Sequence, residues 1–320
     1  MRLAVVGCGA VGSAVCELAG EYGHRVTALA DSTSATVDPE GVDVGTALDR
    51  KAEDRGVGTD GCDRALDAAY DALIEATPTT LGDAEPGFSN ARHALERDCH
   101  VVLANKGPVA ERYADLRAAE RESDGTVLFE AAVGGAIPVL STIADLGPAN
   151  VTAVRGVLNG TANFILSRMS AEGLDYDHVL AEAQDLGVAE ADPTFDVEGT
   201  DAALKCVILA NVLGNGETTL AEADVTGITD LTPSALGLAT DDGRTVRLVG
   251  EVVDGDGNPE VRVGPRLVPE NGTLAVTGTQ NLVQLETRHA GQLNLSGRGA
   301  GGRATATAVL GDVGRLSDVS

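Results

Sequence analysis

The first thirty residues contain the feature that most restricts the fold. A short apolar run, Leu3 to Val6, leads into the turn Gly7-Cys8-Gly9-Ala10-Val11-Gly12, a helical segment to about Gly20, and a second apolar run from Arg25 to Ala30. This order of strand, G-x-G-x-x-G turn, helix and strand is typical of a dinucleotide-binding βαβ unit. The glycines let backbone N–H groups and the positive end of the helix approach a pyrophosphate. We therefore predict a Rossmann-type α/β domain that binds a dinucleotide at this turn, the alternative being a glycine turn without a ligand.

The end of the second run bears on which dinucleotide is bound. Asp31 follows that run, and its carboxylate could accept hydrogen bonds from the adenosine ribose, which favours NAD. Ser32 offers a hydroxyl where a basic residue would be expected for the 2′-phosphate of NADP. Lys51, within Asp49-Arg50-Lys51, could supply that positive charge instead. The choice between NAD and NADP stays open at this point.

Two further loops are predicted at the carboxyl ends of strands. A buried strand from Ala72 to Ala76 ends at Thr77-Pro78-Thr79-Thr80, and a strand from Val101 to Ala104 ends at Asn105-Lys106-Gly107-Pro108. Open parallel sheets bind ligands at this edge, so we predict that Thr77, Pro78 and Lys106 contact the cofactor, the alternative for Lys106 being an ordinary solvated loop residue. The remaining predicted elements are helices near Ser89 to Arg97 and from Ala110 to Arg121, and a strand from Val127 to Phe129.

The pattern changes from Val151 onwards and predicts a second α/β domain with a mixed or mostly antiparallel sheet. Its predicted strands are Val151 to Leu158, Arg244 to Val253, Val261 to Val268 and Leu282 to His289, with a turn at Gly255 to Pro259 and helices at Phe164 to Met169 and Tyr176 to Asp185. The segment Ser296 to Ala306 is predicted to be a glycine loop that opens a last helix, so Gly299 and Gly301 are candidate cofactor contacts. The predicted boundaries are 1–138, 139–295, and a segment 296–320 that returns to the first domain.

One predicted helix is apolar on every side. It runs from about Asp201 to Leu213, with Thr200 as a plausible N-cap and Gly214 just past its end, and Lys205 is its only interior charge. Burying an ammonium costs several kcal/mol, in order of magnitude, unless a partner compensates. Asp201 lies four residues earlier on the same face. Lys205 therefore has a chemical task, or it forms a structural ion pair or reaches water from the helix flank.

The charge balance limits the partners and the surroundings of the chain. There are 49 acidic residues against 23 basic ones, and only three of the basic residues are lysines. An acidic surface poor in lysine suits concentrated salt and argues against nucleic acid and anionic membranes as partners. No run approaches a membrane span, the N-terminus is predicted to be a strand rather than a signal peptide, and the five cysteines show no CxxC pair. We therefore expect a cytoplasmic protein from a halophile, without a zinc site.

The motifs, in this order, resemble those of homoserine dehydrogenases over essentially the whole chain. They are GCGAVG at 7–12, ANKGP at 104–108, FEAAVGGAIP at 129–138, LNGTANFIL at 158–166, the stretch from LGVAEADP to DAALK at 186–205, and GAGGRATA at 299–306. The resemblance implies reduction of L-aspartate 4-semialdehyde to L-homoserine with NAD(P)H, on the route to threonine and methionine. It also implies a homodimer, in which the second domain carries both catalysis and dimerisation. The resemblance is to the short, unregulated form of the family, so we expect no appended ligand-sensing domain.

Residue roles follow from the resemblance, position by position. Lys205 matches the family's proton donor, and Lys106 matches its second active-site lysine, which contacts cofactor and substrate; a desolvated lysine can supply the proton that hydride addition to an aldehyde requires. The implied substrate-binding residues are Glu190, Asp201, Asp196, Gly160 and Thr161. A monovalent cation, Na+ or K+, is implied at Glu130, Val133, Gly135 and Ile137, largely through backbone carbonyls. Val188 departs from the family, which often has a tyrosine there.

Two alternatives remain at the level of the sequence. The two-domain plan would also serve another NAD(P)-dependent dehydrogenase of a related amino acid or semialdehyde. The chain could instead be a non-catalytic protein that senses dinucleotides, although such a protein has no use for Lys205 inside an apolar helix.

Overall fold

The computed structural model describes residues 1–214, 216–255 and 258–317. The chain forms two compact units, one from Met1–Ala136 and Ala300–Ser320 and the other from Ile137–Gly299. No helix in the described part of the chain is long and apolar enough to span a membrane.

The first unit alternates strands and helices. Its elements are β1 (Arg2–Val6), α1 (Ala10–Leu18), β2 (Arg25–Ala30), β3 (Ala35–Val37), α2 (Val44–Ala52), α3 (Asp63–Leu66), β4 (Ala72–Glu75), α4 (Gly87–Leu95), β5 (His100–Leu103), α5 (Gly107–Glu111), α6 (Tyr113–Arg121), β6 (Val127–Leu128) and α7 (Glu130–Gly134).

These strands form one sheet in the order β3-β2-β1-β4-β5-β6. Every pair is parallel except β2 and β3, which are antiparallel. The order reverses between β1 and β4, so the loops that follow these two strands leave the same edge side by side, where doubly wound sheets bind ligands. The predicted Rossmann-type fold is confirmed.

The second unit is built on another six-stranded sheet. Its elements are α8 (Val139–Leu146), β7 (Val151–Val157), α9 (Gly160–Glu172), α10 (Tyr176–Asp185), α11 (Thr194–Val197), α12 (Thr200–Leu213), β8 (Asp224–Val225), α13 (Pro233–Asp241), β9 (Arg244–Gly255), β10 (Asn258–Pro269), β11 (Gln280–Thr287) and β12 (Gln292–Arg298). The strand order is β12-β11-β7-β9-β10-β8. All pairs are antiparallel except β10 with β8, and α9, α12 and α13 pack against this sheet. The predicted mixed-sheet α/β fold is confirmed here too.

The last helix of the described residues is α14 (Gly302–Ser317), which packs against α1 in the first unit. Ala306, Val309 and Leu310 are fully buried in the same apolar cluster as Leu3 and Val5 of β1. Single turns of 3-10 helix at Ala19–Tyr22, Pro148–Asn150 and Leu220–Glu222 complete the secondary structure of the described residues.

Several predicted boundaries were wrong. Thr200 is not an N-cap but the first residue of α12, because Gly199, with φ of 86°, makes the turn into the helix. The predicted helix from Ala110 to Arg121 is two helices, since Arg112 leaves the helical region and its guanidinium stacks 4.0 Å from the Phe88 ring centroid.

The prediction for the glycine-rich tail was also wrong in part. Ser296 to Arg298 belong to β12, which pairs with β11, so the loop before the last helix is shorter than predicted. Strand β3 and helix α13 were not predicted. Of the predicted turn at Gly255 to Pro259, residues 256 and 257 lie outside the described residues, and the flanking strands pair from Gly255 and Asn258.

Candidate active site

Lys205 lies in the middle of α12, where every residue from Asp201 to Asn211 is buried. Its ammonium donates hydrogen bonds to Asp201 Oδ2 and to the carbonyl oxygen of Leu158, both at 2.7 Å. The predicted burial and the predicted pairing along one helix face are therefore confirmed. An ammonium carries three hydrogens, so one remains beyond these two bonds. Leu158, at the end of β7, was not predicted to take part because a backbone carbonyl leaves no mark in a sequence.

Asn159 joins the acidic residues around Lys205. Its Oδ1 accepts a hydrogen bond from the Ala162 N–H, so it caps the N-terminus of α9. Its Nδ2 donates to Asp196 Oδ1 at 2.6 Å and to Asp201 Oδ2 at 2.9 Å. The structure thus brings Asp196, Asp201 and Lys205 into one network. Asn159 was missed as a site residue, although an Asn that follows a strand and precedes a helix is a typical cap that could have indicated it.

The other predicted substrate residues lie around this network in different ways. Thr161 donates its hydroxyl hydrogen to the Val188 carbonyl, which fixes the segment where the family often has a tyrosine. Gly160 lies so close to the backbone of Thr279 that a Cβ would stand 2.9 Å from its carbonyl oxygen. Glu190 is exposed, and its carbonyl accepts a hydrogen bond from the Gln184 amide.

In the first unit, the glycine turn after β1 packs tightly against its neighbours. A Cβ at Gly7, which has φ of 99°, would collide with the backbone that leaves β4, and a Cβ at Gly12 would collide with the Gly7 carbonyl. Gly9 and Ala10, in contrast, are exposed at the N-terminus of α1, with Val11 partly covered behind them. This open helix end, flanked by residues that need to be glycine, fits a pyrophosphate.

The two carboxylate oxygens of Asp31 have different partners. Oδ1 accepts hydrogen bonds from the backbone N–H groups of Thr33 and Ser34, both at 2.8 Å, while Oδ2 lies 3.4 Å from the Lys51 ammonium. Burial raises the pKa of Asp31, but these hydrogen bonds outweigh it and bring the pKa to about 2. Asp31 is therefore anionic at neutral pH with Oδ2 turned toward a basic side chain. Ser32 is exposed.

The loops after β4 and β5 are held together by buried Glu75, which was not predicted. Its carboxylate is 0% exposed and accepts hydrogen bonds from the Thr77 N–H and hydroxyl, from Asn90 Nδ2 and from Asn105 Nδ2. Burial outweighs these bonds and raises the pKa of Glu75. Asn105 Nδ2 also reaches the Pro78 carbonyl at 3.3 Å.

Lys106 is attached to the same two loops. It is partly buried at the start of α5, and its N–H donates to Thr79 Oγ1 at 3.4 Å. Pro78 is exposed. Thr77, Pro78 and Lys106 therefore lie in two loops that hydrogen bonds join at the carboxyl edge of the sheet. The signal for Glu75 was a lone acid at the end of an otherwise apolar strand.

The remaining predicted site residues are the two glycines before α14 and the residues of the predicted cation site. A Cβ at Gly299 would overlap the Asn281 amide, and Gly301 has φ of 111° just before α14. For the predicted cation, Glu130 and Val133 lie in α7, and Gly135, with φ of 58°, follows its last residue. The Ile137 carbonyl accepts a hydrogen bond from Val139 N–H.

The surroundings of Glu130 are already occupied by protein groups. Its N–H donates to Asp312 Oδ2 at 2.8 Å, and Arg315 Nη2 lies 3.8 Å from its carboxylate. Burial, the largest influence, raises the pKa of Asp312 to about 7. Among the described residues, no group of three or more His, Cys, Asp or Glu side chains is arranged to hold a metal ion.

Comparison with known proteins gives the family. The family model described as homoserine dehydrogenase matches residues 138–313, and one described as glutamate/leucine/phenylalanine/valine dehydrogenase matches residues 1–79. The homoserine dehydrogenase of Methanocaldococcus jannaschii is 36% identical over 98% of this chain and 97% of its own length. The NAD(+)-dependent homoserine dehydrogenase of Pseudomonas canavaninivorans is 34% identical over 98% of this chain and 95% of its own.

A solved structure agrees with these sequences. It is a hyperthermophilic archaeal homoserine dehydrogenase in complex with NADPH, 26% identical, with a TM-score of 0.86 over 100% of this chain and 98% of that chain. The first family model spans more than half of the 320 residues, and the two relatives span nearly all of them. The chain therefore belongs to the homoserine dehydrogenase family, NAD(P)-dependent oxidoreductases that act on a CH–OH group.

Proposed function

We propose that this enzyme interconverts L-aspartate 4-semialdehyde and L-homoserine, in threonine and methionine biosynthesis, with Lys205 as the proton donor to the nascent alkoxide. The observation that carries the proposal is the buried ammonium held by Asp201 and the Leu158 carbonyl, both at 2.7 Å. A buried cation with one hydrogen left is suited to stabilise and protonate an oxyanion. A protein that only senses dinucleotides would not need this arrangement.

The neighbouring acids have a second task in this proposal. Bound NAD(P)H supplies the hydride. Asp196 and Asp201 both accept hydrogen bonds from Asn159, so their carboxylates are held close together at the N-terminal end of α12. Two fixed carboxylates attract the ammonium of an amino-acid substrate, and the exposed Glu190 is proposed to join them on binding. Gly160 and Thr161 keep the turn beneath them in place.

We also propose that NAD is usable as the cofactor, alongside NADP. Asp31 is anionic, and the Lys51 ammonium lies 3.4 Å from its Oδ2, which is a long hydrogen-bond distance. This oxygen is therefore suited to accept hydrogen bonds from ribose hydroxyls. Lys51 lies at the same place and supplies the charge that a 2′-phosphate would require. The proposed contacts are Gly7, Gly9, Ala10, Val11 and Gly12 for the pyrophosphate, Thr77, Pro78 and Lys106 at the loops, and Gly299 and Gly301 near α14.

Three further properties belong to the same proposal. A monovalent cation is proposed at the carbonyls of Val133, Gly135 and Ile137 with Glu130; Val133 lies in the last turn of α7, where carbonyls lack partners within the helix. A homodimer is proposed through the second unit. Adaptation to salt is proposed from the charge of −26 and from acids that are exposed, such as Glu53, Asp54, Asp124, Asp192 and Asp241.

The test is an NAD(P)H oxidation assay with aspartate semialdehyde in molar KCl, run on the wild type and on Lys205→Ala. We expect turnover in the wild type and a loss of at least about 100-fold in kcat in the variant, the scale of a lost general acid. Cofactor binding, followed by NADPH fluorescence, should be retained. Turnover with another semialdehyde but not with this one would favour the related-dehydrogenase alternative, and cofactor binding without any turnover would favour a sensor.

A further inference from the structure

Asn281, at the start of β11, shares a carbonyl with the candidate catalytic lysine. Its Nδ2 donates a hydrogen bond to the Leu158 oxygen at 2.9 Å, while the Lys205 ammonium donates to the same oxygen at 2.7 Å. A carbonyl oxygen has two lone pairs, so these two donors account for both. The position of the oxygen that holds Lys205 therefore depends on Asn281.

The other half of the Asn281 amide is unsatisfied. The side chain is 3% exposed, and Oδ1 has no hydrogen-bond partner within the described part of the chain. A buried acceptor without a partner is destabilising. A leucine of similar shape would avoid that cost, so stability alone does not account for an asparagine here. The hydrogen bond from Nδ2 to the Leu158 carbonyl is the interaction that requires an amide at this position.

Gly299 is the residue that makes room for this amide. A Cβ at residue 299 would fall inside the Asn281 side chain, and its φ is not in the left-handed region. The backbone conformation would therefore accept an alanine, and the three atoms nearest to such a Cβ all belong to Asn281. Gly299 was predicted to contact the cofactor, and the structure gives it a neighbour, Asn281, that leaves no room for a Cβ at this position.

We propose that Asn281 is a positioning residue for Lys205, acting through the Leu158 carbonyl, and that Gly299 is required because of Asn281. The proposal rests on the proposed role of Lys205 as proton donor. Residues 158, 205, 281 and 299 all belong to the second unit, so the whole chain of contacts lies within one compact body.

The first experiment compares Asn281→Leu with Gln284→Leu in the full-length enzyme. Gln284 is the matched control, because it is a buried amide on the same strand that binds Thr273 and Asn294 instead. Asn281→Leu should fold with unchanged or higher thermal stability, since it removes the unsatisfied oxygen. It should lower kcat about 10-fold with KM values for NAD(P)H and semialdehyde within about twofold, because the change displaces a catalytic group and leaves the binding residues in place. Gln284→Leu should lower stability and leave kcat within about twofold.

The second experiment tests the link to Gly299. Gly299→Ala should lower kcat like Asn281→Leu, whereas a glycine needed only by the cofactor would raise KM for NAD(P)H instead. In an Asn281→Ala background the amide is gone, and of the three contacts only the one of 2.9 Å to the Cβ of residue 281 remains. Adding Gly299→Ala there should therefore cost less than about twofold further in kcat, which makes the two changes strongly non-additive.

Each outcome decides the proposal. Normal kcat in Asn281→Leu, or additive losses in the double variant, would overturn it. If Asn281→Leu does not fold, Gly299→Ala and the double variant still give the answer. Failure of the proposed function is a separate result, seen as a wild type without turnover or a Lys205→Ala variant with normal turnover.

Discussion

Replacing Lys205 by methionine should separate the stability of this site from its chemistry. The side chains of Lys205 and Asp201 are only 7% and 10% exposed, so the change leaves a buried carboxylate without its ammonium. Breaking such a pair costs about 3–5 kcal/mol, and the retained bond from Asn159 at 2.9 Å offsets about 1–2 kcal/mol of this. We expect Lys205→Met to lose about 2–3 kcal/mol of unfolding free energy. At about 2–4 °C per kcal/mol for a unit of this size, Tm should fall by roughly 4–12 °C.

The second substitution, Asp201→Asn, should restore most of that loss. The double variant Lys205→Met/Asp201→Asn buries a neutral amide in place of a carboxylate that has lost its ammonium, so its unfolding free energy should exceed that of Lys205→Met by about 1–2 kcal/mol. Its kcat should stay at least about 100-fold below the wild type, because the proton donor is still absent.

The assay is thermal unfolding together with NAD(P)H oxidation, both in 3 M KCl. High salt keeps the acidic surface screened but screens a buried pair much less. A Lys205→Met variant as stable as the wild type would refute the argument from burial. A double variant no more stable than the single one would show that Asp201 is not the group left uncompensated.

Three other results are expected. Tm should rise between 0.1 and 3 M KCl, since the Debye length falls from about 10 Å to below about 3 Å and the repulsion within a chain of charge −26 is screened; a flat or falling Tm would contradict salt adaptation. Because the pKa of Asp31 is about 2 in the folded enzyme and near 3.9 when unfolded, its ionised form contributes about 2 kcal/mol above pH 4 that is lost as pH falls toward 2. The stability difference between wild type and Asp31→Asn should therefore shrink over that range, as measured by urea unfolding at each pH. Glu75→Gln should raise KM for NAD(P)H about 10-fold, because the new amide N–H group would face the Thr77 and Asn105 donors. The control is Asp71→Asn, at the other end of β4 and paired with Arg2, which should leave this KM unchanged.

The sequence predicted most where the chemistry imposes a local rule. The glycine turn, the parallel sheet of the first unit and the buried helix around Lys205 all follow from short-range patterns: glycine spacing, apolar runs, and a helix without a polar face. Asp196 was implied beside Asp201, and the structure joins them through Asn159. Such features are readable because one residue type is needed at one position.

The features that were missed depend on partners far apart in the chain. Asn281 meets Leu158 across 123 residues, and Glu75 meets Asn105 across 30. No periodicity records such a pairing, and one of the partners is a backbone carbonyl. The break at Arg112 has the same origin, because the guanidinium stacks on Phe88, a residue of another helix. Strand β12 was not predicted, because Ser296 to Arg298 were assigned to the glycine loop, whereas pairing with β11 makes them part of a strand.

The return of α14 to the first unit has a consequence for synthesis of the chain. Residues up to Ala136 lack the helix that covers β1 and α1 until the C-terminus has been made, whereas the second unit is continuous from Ile137 to Gly299. At about 5–20 residues per second, the N-terminal part waits on the order of ten seconds or more with Leu3 and Val5 uncovered. The unit that is translated first is therefore expected to be the last to finish folding. A chain truncated before α14 should have a folded second unit and a first unit that is sensitive to proteases.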